Sequence, residues 1–146
     1  MTGFRSLASS VMDALGAAIV ATAPTGANVS VGYPAGGLAD QQIWVGGDFD
    51  DAIAWATTGW HQRSEEGTCK VRCSVLMTTV VFKDVRDACV ALTNAVEDAL
   101  AVDRTLGGLV DRCEVSGSKG LEAVPDEHQR SYGVELTVSW TGEATA

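Results

Sequence analysis

The sequence lacks any apolar run approaching the roughly 20 residues that a helix needs to cross a bilayer, so no membrane-spanning segment is expected. It is also poor in positive charge, with ten Lys and Arg against nineteen Asp and Glu and a net charge of −9. A field of that sign repels phosphate backbones and anionic lipid heads, which disfavours nucleic-acid binding driven by charge alone. Only two histidines are present, His61 and His128, both in polar stretches. A Ser or Cys nucleophile would need one of them oriented by a third group, an arrangement in space that neither stretch spells out. Repeats, low-complexity segments and linkers are absent, and one domain over residues 1–146 is expected. A chain of this size buries roughly 68–70% of its unfolded surface, so it needs neither metal nor disulfide to fold.

Motifs for bound groups fail on spacing. Gly117-Ser118-Lys119-Gly120 has the glycines and lysine of a phosphate loop, but Gly120 stands where the pattern needs Ser or Thr. Asp48, Asp50 and Asp51 lack the glycine and closing Glu of a calcium loop and read as a solvated acidic loop. Of the four cysteines, Cys69 and Cys73 lie in TCKVRCSVLMTTV, which alternates as a strand. At about 3.3 Å per residue their Cα atoms stand roughly 13 Å apart, too far for a disulfide or a shared zinc ion. Cys89 and Cys113 fall on inward faces, so all four read as small buried hydrophobes in a reducing setting.

The strongest periodic signal is DVRDACVALTNAVEDALAVDRTLGG, from Asp84 to Gly108. Val85, Ala88, Cys89, Leu92, Ala95, Val96, Ala99 and Leu100 line one face of a helix, while Arg86, Asp87, Asn94, Glu97 and Asp98 fall opposite. Asp84 suits the N-cap, and Gly107-Gly108 suits a reversal with positive φ. An earlier stretch, Phe4, Leu7, Ala8, Val11, Met12, Leu15, Ala18 and Ile19, has the same period. Ala21-Thr22-Ala23 mimics a signal-peptide cleavage site, but Asp13 and the helical spacing make this an amphipathic first helix.

Short strands are expected at Asn28–Tyr33 and Ile43–Gly46, a longer one from Thr68, another from Leu109 to Val115, and a last one over Tyr132–Thr141. Ser116–Gly120 reads as a loop, and residues 47–67 have no clean period. The fold class is therefore α+β, two amphipathic helices on one face of a mostly antiparallel sheet, the economical way to bury both apolar layers. Trp55 and Trp60 stand among polar neighbours, where an aromatic either folds back on the core or meets a partner.

Val31-Gly32-Tyr33-Pro34, Ile43-Trp44-Val45-Gly46, Glu65-Glu66 at the head of a long strand, and Val102-Asp103-Arg104-Thr105-Leu106-Gly107-Gly108 after the second helix come in a telling order. With the first helix, they resemble the tail terminator (tail completion) proteins of long-tailed bacteriophages, of actinobacterial-phage type, over roughly Val11 to Trp140. The resemblance implies a virion subunit that closes as a homo-hexameric ring on the head-proximal end of the tail tube. Such a ring stops tube polymerisation and presents a docking surface to the head-closure connector. Its partners would be the major tail tube protein and that connector, with DNA passing through the lumen unbound, no membrane and no cofactor. It would be assembled in the host cytoplasm and reside at the tail-neck junction. The family brings no catalytic residues. Residues 34–42 and 47–67 would supply docking and ring contacts.

In a closed ring every copy makes the same heterologous contact, so scarce cations meet abundant carboxylates. Candidate interface residues are Trp55, Trp60, Arg63, Lys70 and Arg72. The alternatives are a head-closure or connector neck protein and, from another class, a small cytoplasmic enzyme or ligand-binding domain working through His61, Cys69 or the tryptophans.

Overall fold

The computed structural model describes residues 7–55, 62–78, 81–126 and 129–145. The elements run α1 (Ala8–Thr22), β1 (Asn28–Val31), β2 (Gln41–Trp55), β3 (Gln62–Thr78), α2 (Phe82–Val102), β4 (Arg112–Asp126) and β5 (Gln129–Thr145). The strands form one sheet in the order β1-β2-β3-β5-β4. Every pairing is antiparallel except β1 with β2. Both helices lie on the same face, so the expected α+β class and its two layers are what the chain adopts.

Alternation decides which side chains meet the helices. On β3, Cys69, Val71, Cys73 and Val75 are buried, and they face Val138, Leu136, Val134 and Tyr132 across the register with β5. Onto this surface α2 lays Val85, Cys89, Leu92, Ala95, Val96, Ala99 and Leu100, the face its period predicts. α1 adds Ala8, Val11, Leu15 and Ile19, and Thr22 Oγ1 donates to the Ala95 carbonyl at 2.6 Å, tying the two helices together.

A buried carboxylate anchors α1. Glu65 is fully buried on the helix-facing side of β3, and both its oxygens accept from the Leu7 backbone N–H, at 2.9 and 3.2 Å. The N-cap residue Leu7 has no capping side chain of its own, so an acid from a distant strand meets the positive end of the helix. Glu65→Ala should cost about 1–3 kcal/mol by leaving that donor unsatisfied, whereas exposed Glu66→Ala should stay within about 0.5 kcal/mol; urea melts of the two variants check this.

Two glycines admit close contacts. Gly67 sits opposite Trp140 in the β3–β5 register, and the indole lies across the space where a side chain would begin. Trp140 is 2% exposed, and its Nε1 has no partner among the described residues. On α1, Gly16 lets Val31 of β1 approach, since an added Cβ would come within 2.6 Å of Val31 Cγ2.

Several expectations are corrected. The expected loop at Ser116–Gly120 is strand, because β4 passes through a bulge between Val115 and Gly117 and continues against β5. At the bulge, Ser116 Oγ pairs with Ser139 Oγ at 2.6 Å and donates to the Thr137 carbonyl. Residues 109–111 precede β4, which starts at Arg112. The backbone of Asp48, Asp50 and Asp51 belongs to β2, so these residues do not form an acidic loop. A register shift between Val45 and Phe49 interrupts the alternation there, which hides the strand from a period-two reading. Helix α2 starts at Phe82 with Val81 as N-cap and no capping side chain, leaving Asp84 in its first turn.

Candidate functional site

The face of the sheet away from the helices is where polar chemistry gathers. Register places Ser30, Trp44, Arg72, Glu135 and Lys119 in one row across all five strands. Lys70 and Thr137 lie one step along. Arg72 Nε meets Glu135 Oε2 at 3.3 Å, Lys70 Nζ stands 3.7 Å from Glu135 Oε1, and Lys70 also donates to Thr137 Oγ1 at 2.8 Å. One carboxylate is thus shared by two cations. Lys119, opposite Glu135 from the other side, has no carboxylate partner among the described residues.

At the β1 end this face carries a crossover. The segment between β1 and β2 turns at Gly32 and Gly37, with φ of 79° and 84°, and Tyr33 packs edge-on against Trp44 at 5.9 Å. Gln42, buried beneath it, accepts from Asn28 Nδ2 at 2.8 Å and from the Ala39 N–H at 3.3 Å, pinning the crossover to the sheet. Beyond it the face is open. Beside the row lies a groove of about 400 Å3, lined by its Trp44, Arg72, Glu135 and Lys119 and by the small residues Ser74, Ser131 and Gly133.

Lys70 and Arg72 therefore sit together on the open face as half-buried, ion-paired side chains. Trp55 and Arg63 are register partners at the far end of the β2–β3 hairpin. Trp60, His61 and His128 lie outside the described residues. Trp44 and Lys119 were not legible as members of this row, which exists only once the register is known; Glu135 was legible on the same face as Lys70 and Arg72 through the polar phase of β5.

The turn after α2 shows why its residue types are needed. Asp103 accepts from the Thr105 N–H, from the Thr105 hydroxyl and from the Gly107 N–H at 2.7 Å, while Thr105 Oγ1 accepts from the Gly108 N–H. Leu106, Gly107 and Gly108 all take positive φ, at 50°, 73° and 87°, and Leu106 drops into the core. The sequence Asp-x-Thr-Leu-Gly-Gly thus builds a fold element with no reactive group.

None of the four cysteines forms a disulfide, and all four are buried. Desolvation pushes Cys73 and Cys113 up to about 12 and Cys89 up to about 11 from an ordinary 9.0. Cys113 borders a second groove, of about 340 Å3 between α2 and β4, yet at neutral pH it is a protonated thiol and a weak nucleophile. Because the folded state holds these protons more tightly than the unfolded state, stability should be intact below about pH 9 and fall as pH rises towards 12. Iodoacetamide at neutral pH should label none of the four until urea is added, as read by intact mass; fast native labelling of Cys69 with Cys73 would contradict the burial.

No protein-family model matches the chain, and no curated protein matches it. Among solved structures it is similar to a chain of one described as "Virion of native gene transfer agent (GTA) particle", with a TM-score of 0.37 and 23% identity. That likeness covers 86% of this chain and 84% of the other. No described helix is long and apolar enough to cross a membrane, and no described group of His, Cys, Asp or Glu is arranged to hold a metal ion.

Proposed function

We propose that this chain is a non-enzymatic structural subunit of a phage-like virion, a tail terminator acting as a single domain over its whole length. Six copies close as a ring on the head-proximal end of the tail tube, stop its growth and receive the head-closure connector. The observation that carries this reading is the uncovered sheet face: two helices shield one side, while the other presents an ordered row of charged and aromatic side chains. Such a surface is too polar for a core and too organised for plain solvent exposure, which fits a reversible protein contact. The β2–β3 hairpin adds an arm, since it stays paired past the register shift out to Trp55 and Arg63. Trp55 and Arg63 at that end, together with Trp60, which lies outside the described residues, are assigned to contacts with the tube or the connector, and Lys70 and Arg72 to contacts between copies. DNA crosses the lumen without specific binding.

The test is electron microscopy of tails assembled with and without the protein. Tails of irregular, extended length in its absence, restored to uniform length when it is supplied, support the terminator. Uniform tails that fail to join heads would instead make it a connector component.

A further inference from the structure

We infer that the β1 edge of one copy pairs with the β4 edge of the next, so that the sheet runs on from copy to copy, an assignment that rests on the ring reading above. β1 and β4 end the strand order, and no described strand lies beyond either. Such edges carry backbone donors and acceptors without partners. On β1 they can be named: the Gly32 N–H donates to the Val45 carbonyl at 2.7 Å, so by alternation the N–H groups of Val29 and Val31 point out of the sheet. Neither edge is blunted here. Asn28–Val31 holds no charge and no proline, and past its bulge β4 pairs with β5 in unbroken register over residues 117–123.

Level and direction are the first argument. Followed across the sheet, the register sets Val31 level with Val45, Val71, Leu136 and Ser118, and Asn28 level with Gln42, Ser74, Gly133 and Leu121. β1 therefore stands level with residues 118–121 of β4. A ring whose axis runs along the strands requires this, because a contact with a rise between copies climbs into an open filament. Direction agrees as well. β1 is parallel to β2 and the other three pairings are antiparallel, so β4 runs opposite to β1, and a copy carried around that axis meets it as an antiparallel partner.

The second argument is the match of faces. At that level Val31 of the next copy falls opposite Ser118, both on the helix side, and Ser30 falls opposite Lys119 on the open side. The row from Ser30 to Lys119 thus continues into the next copy's Ser30. Its members Lys70 and Arg72 act at the seam by holding Glu135 beside Lys119.

Exposed apolar surface is the third. At the β1 edge Val31 is 48% exposed against Gly16, and Val20, one helical turn further along α1, is 62% exposed. At the β4 edge a groove of about 250 Å3 runs between α2 and β4, lined by Val90, itself 42% exposed, and by Ser118, Gly120 and Leu136. Pairing the two edges brings Val31 to this groove and takes valines of both copies out of water.

Cross-linking tests the assignment. Val31→Cys and Ser118→Cys, both at exposed positions, are combined in one chain, and assembled rings are treated with a short bis-maleimide; the four native thiols are buried and should not react. A denaturing gel should show a ladder of linked copies that neither single-cysteine variant gives. Val20→Lys, exposed and in the last turn of α1 where a cation suits the helix dipole, should keep the wild-type melting temperature. It should raise the concentration needed for rings, seen by light scattering and negative-stain microscopy, by tenfold or more. Rings of the double-cysteine variant that yield no ladder overturn the assignment, as do rings that form normally from Val20→Lys, and the terminator reading then stays in place. A wild-type protein that neither forms rings nor caps tail tubes removes both.

Discussion

Gly67→Val should leave little folded protein at physiological temperature. A Cβ on Gly67 would fall on atoms of the Trp140 ring, inside any permissible contact. Neither partner can step aside, because Gly67 and Trp140 are paired across two central strands and the indole is 2% exposed. Overpacking usually costs about 1–3 kcal/mol, and a clash between strand backbone and a rigid ring packed in the core belongs at or above the top of that range. For a domain worth about 5–15 kcal/mol in total, the urea midpoint should fall sharply. Gly67→Ala should show a smaller loss of the same origin. Combining it with Trp140→Leu should cost less than the sum of the two single changes, since the smaller side chain removes the clash; strict additivity would show that the ring is not what makes glycine necessary.

Leu92→Asp should be equally severe for a different reason. Leu92 is fully buried at the middle of α2, where a carboxylate would find neither water nor a cation. Leaving an uncompensated charge in such a place costs about 3–5 kcal/mol. Asn94→Asp, two residues on and exposed, should melt within about 0.5 kcal/mol of the wild type. Circular dichroism melts of the pair separate the two faces of the helix, and equal melts would refute the facing.

Much of this layering was legible in the chain, and the reasons differ by element. The α2 face could be read because each of its buried residues is apolar and the period runs unbroken from Val85 to Leu100. β5 could be read because Tyr132, Val134, Leu136, Val138 and Trp140 alternate with polar residues, and β3 because its cysteines and valines do the same. Irregular pairing hid the rest. The bulge at Ser116 breaks the alternation of β4, and the glycines around it imitate a turn. The shift after Val45 does the same to β2. Glu65 gave no warning, since a carboxylate on a strand is usually solvated and its partner is the backbone of a helix 58 residues away in sequence. Of the interface candidates, Lys70 and Arg72 were found as members of the polar phase of β3, but their shared counter-ion Glu135 and the groove at Gly133 depend on β5 lying next to β3.

That neighbour relation also sets a schedule for the protein's birth. The central strand β3 lies between β2, which precedes it directly, and β5, which is translated only after α2 and β4. Chains grow at roughly 5–20 residues per second, so β3 emerges several seconds before the strand that completes its second edge. During that interval the edge of β3 that β5 will take has its backbone donors and acceptors without their strand partner. Pairings this distant in sequence also close slowly once both strands exist. The open face with its Arg72–Glu135 pair therefore exists only once β5 has docked on β3.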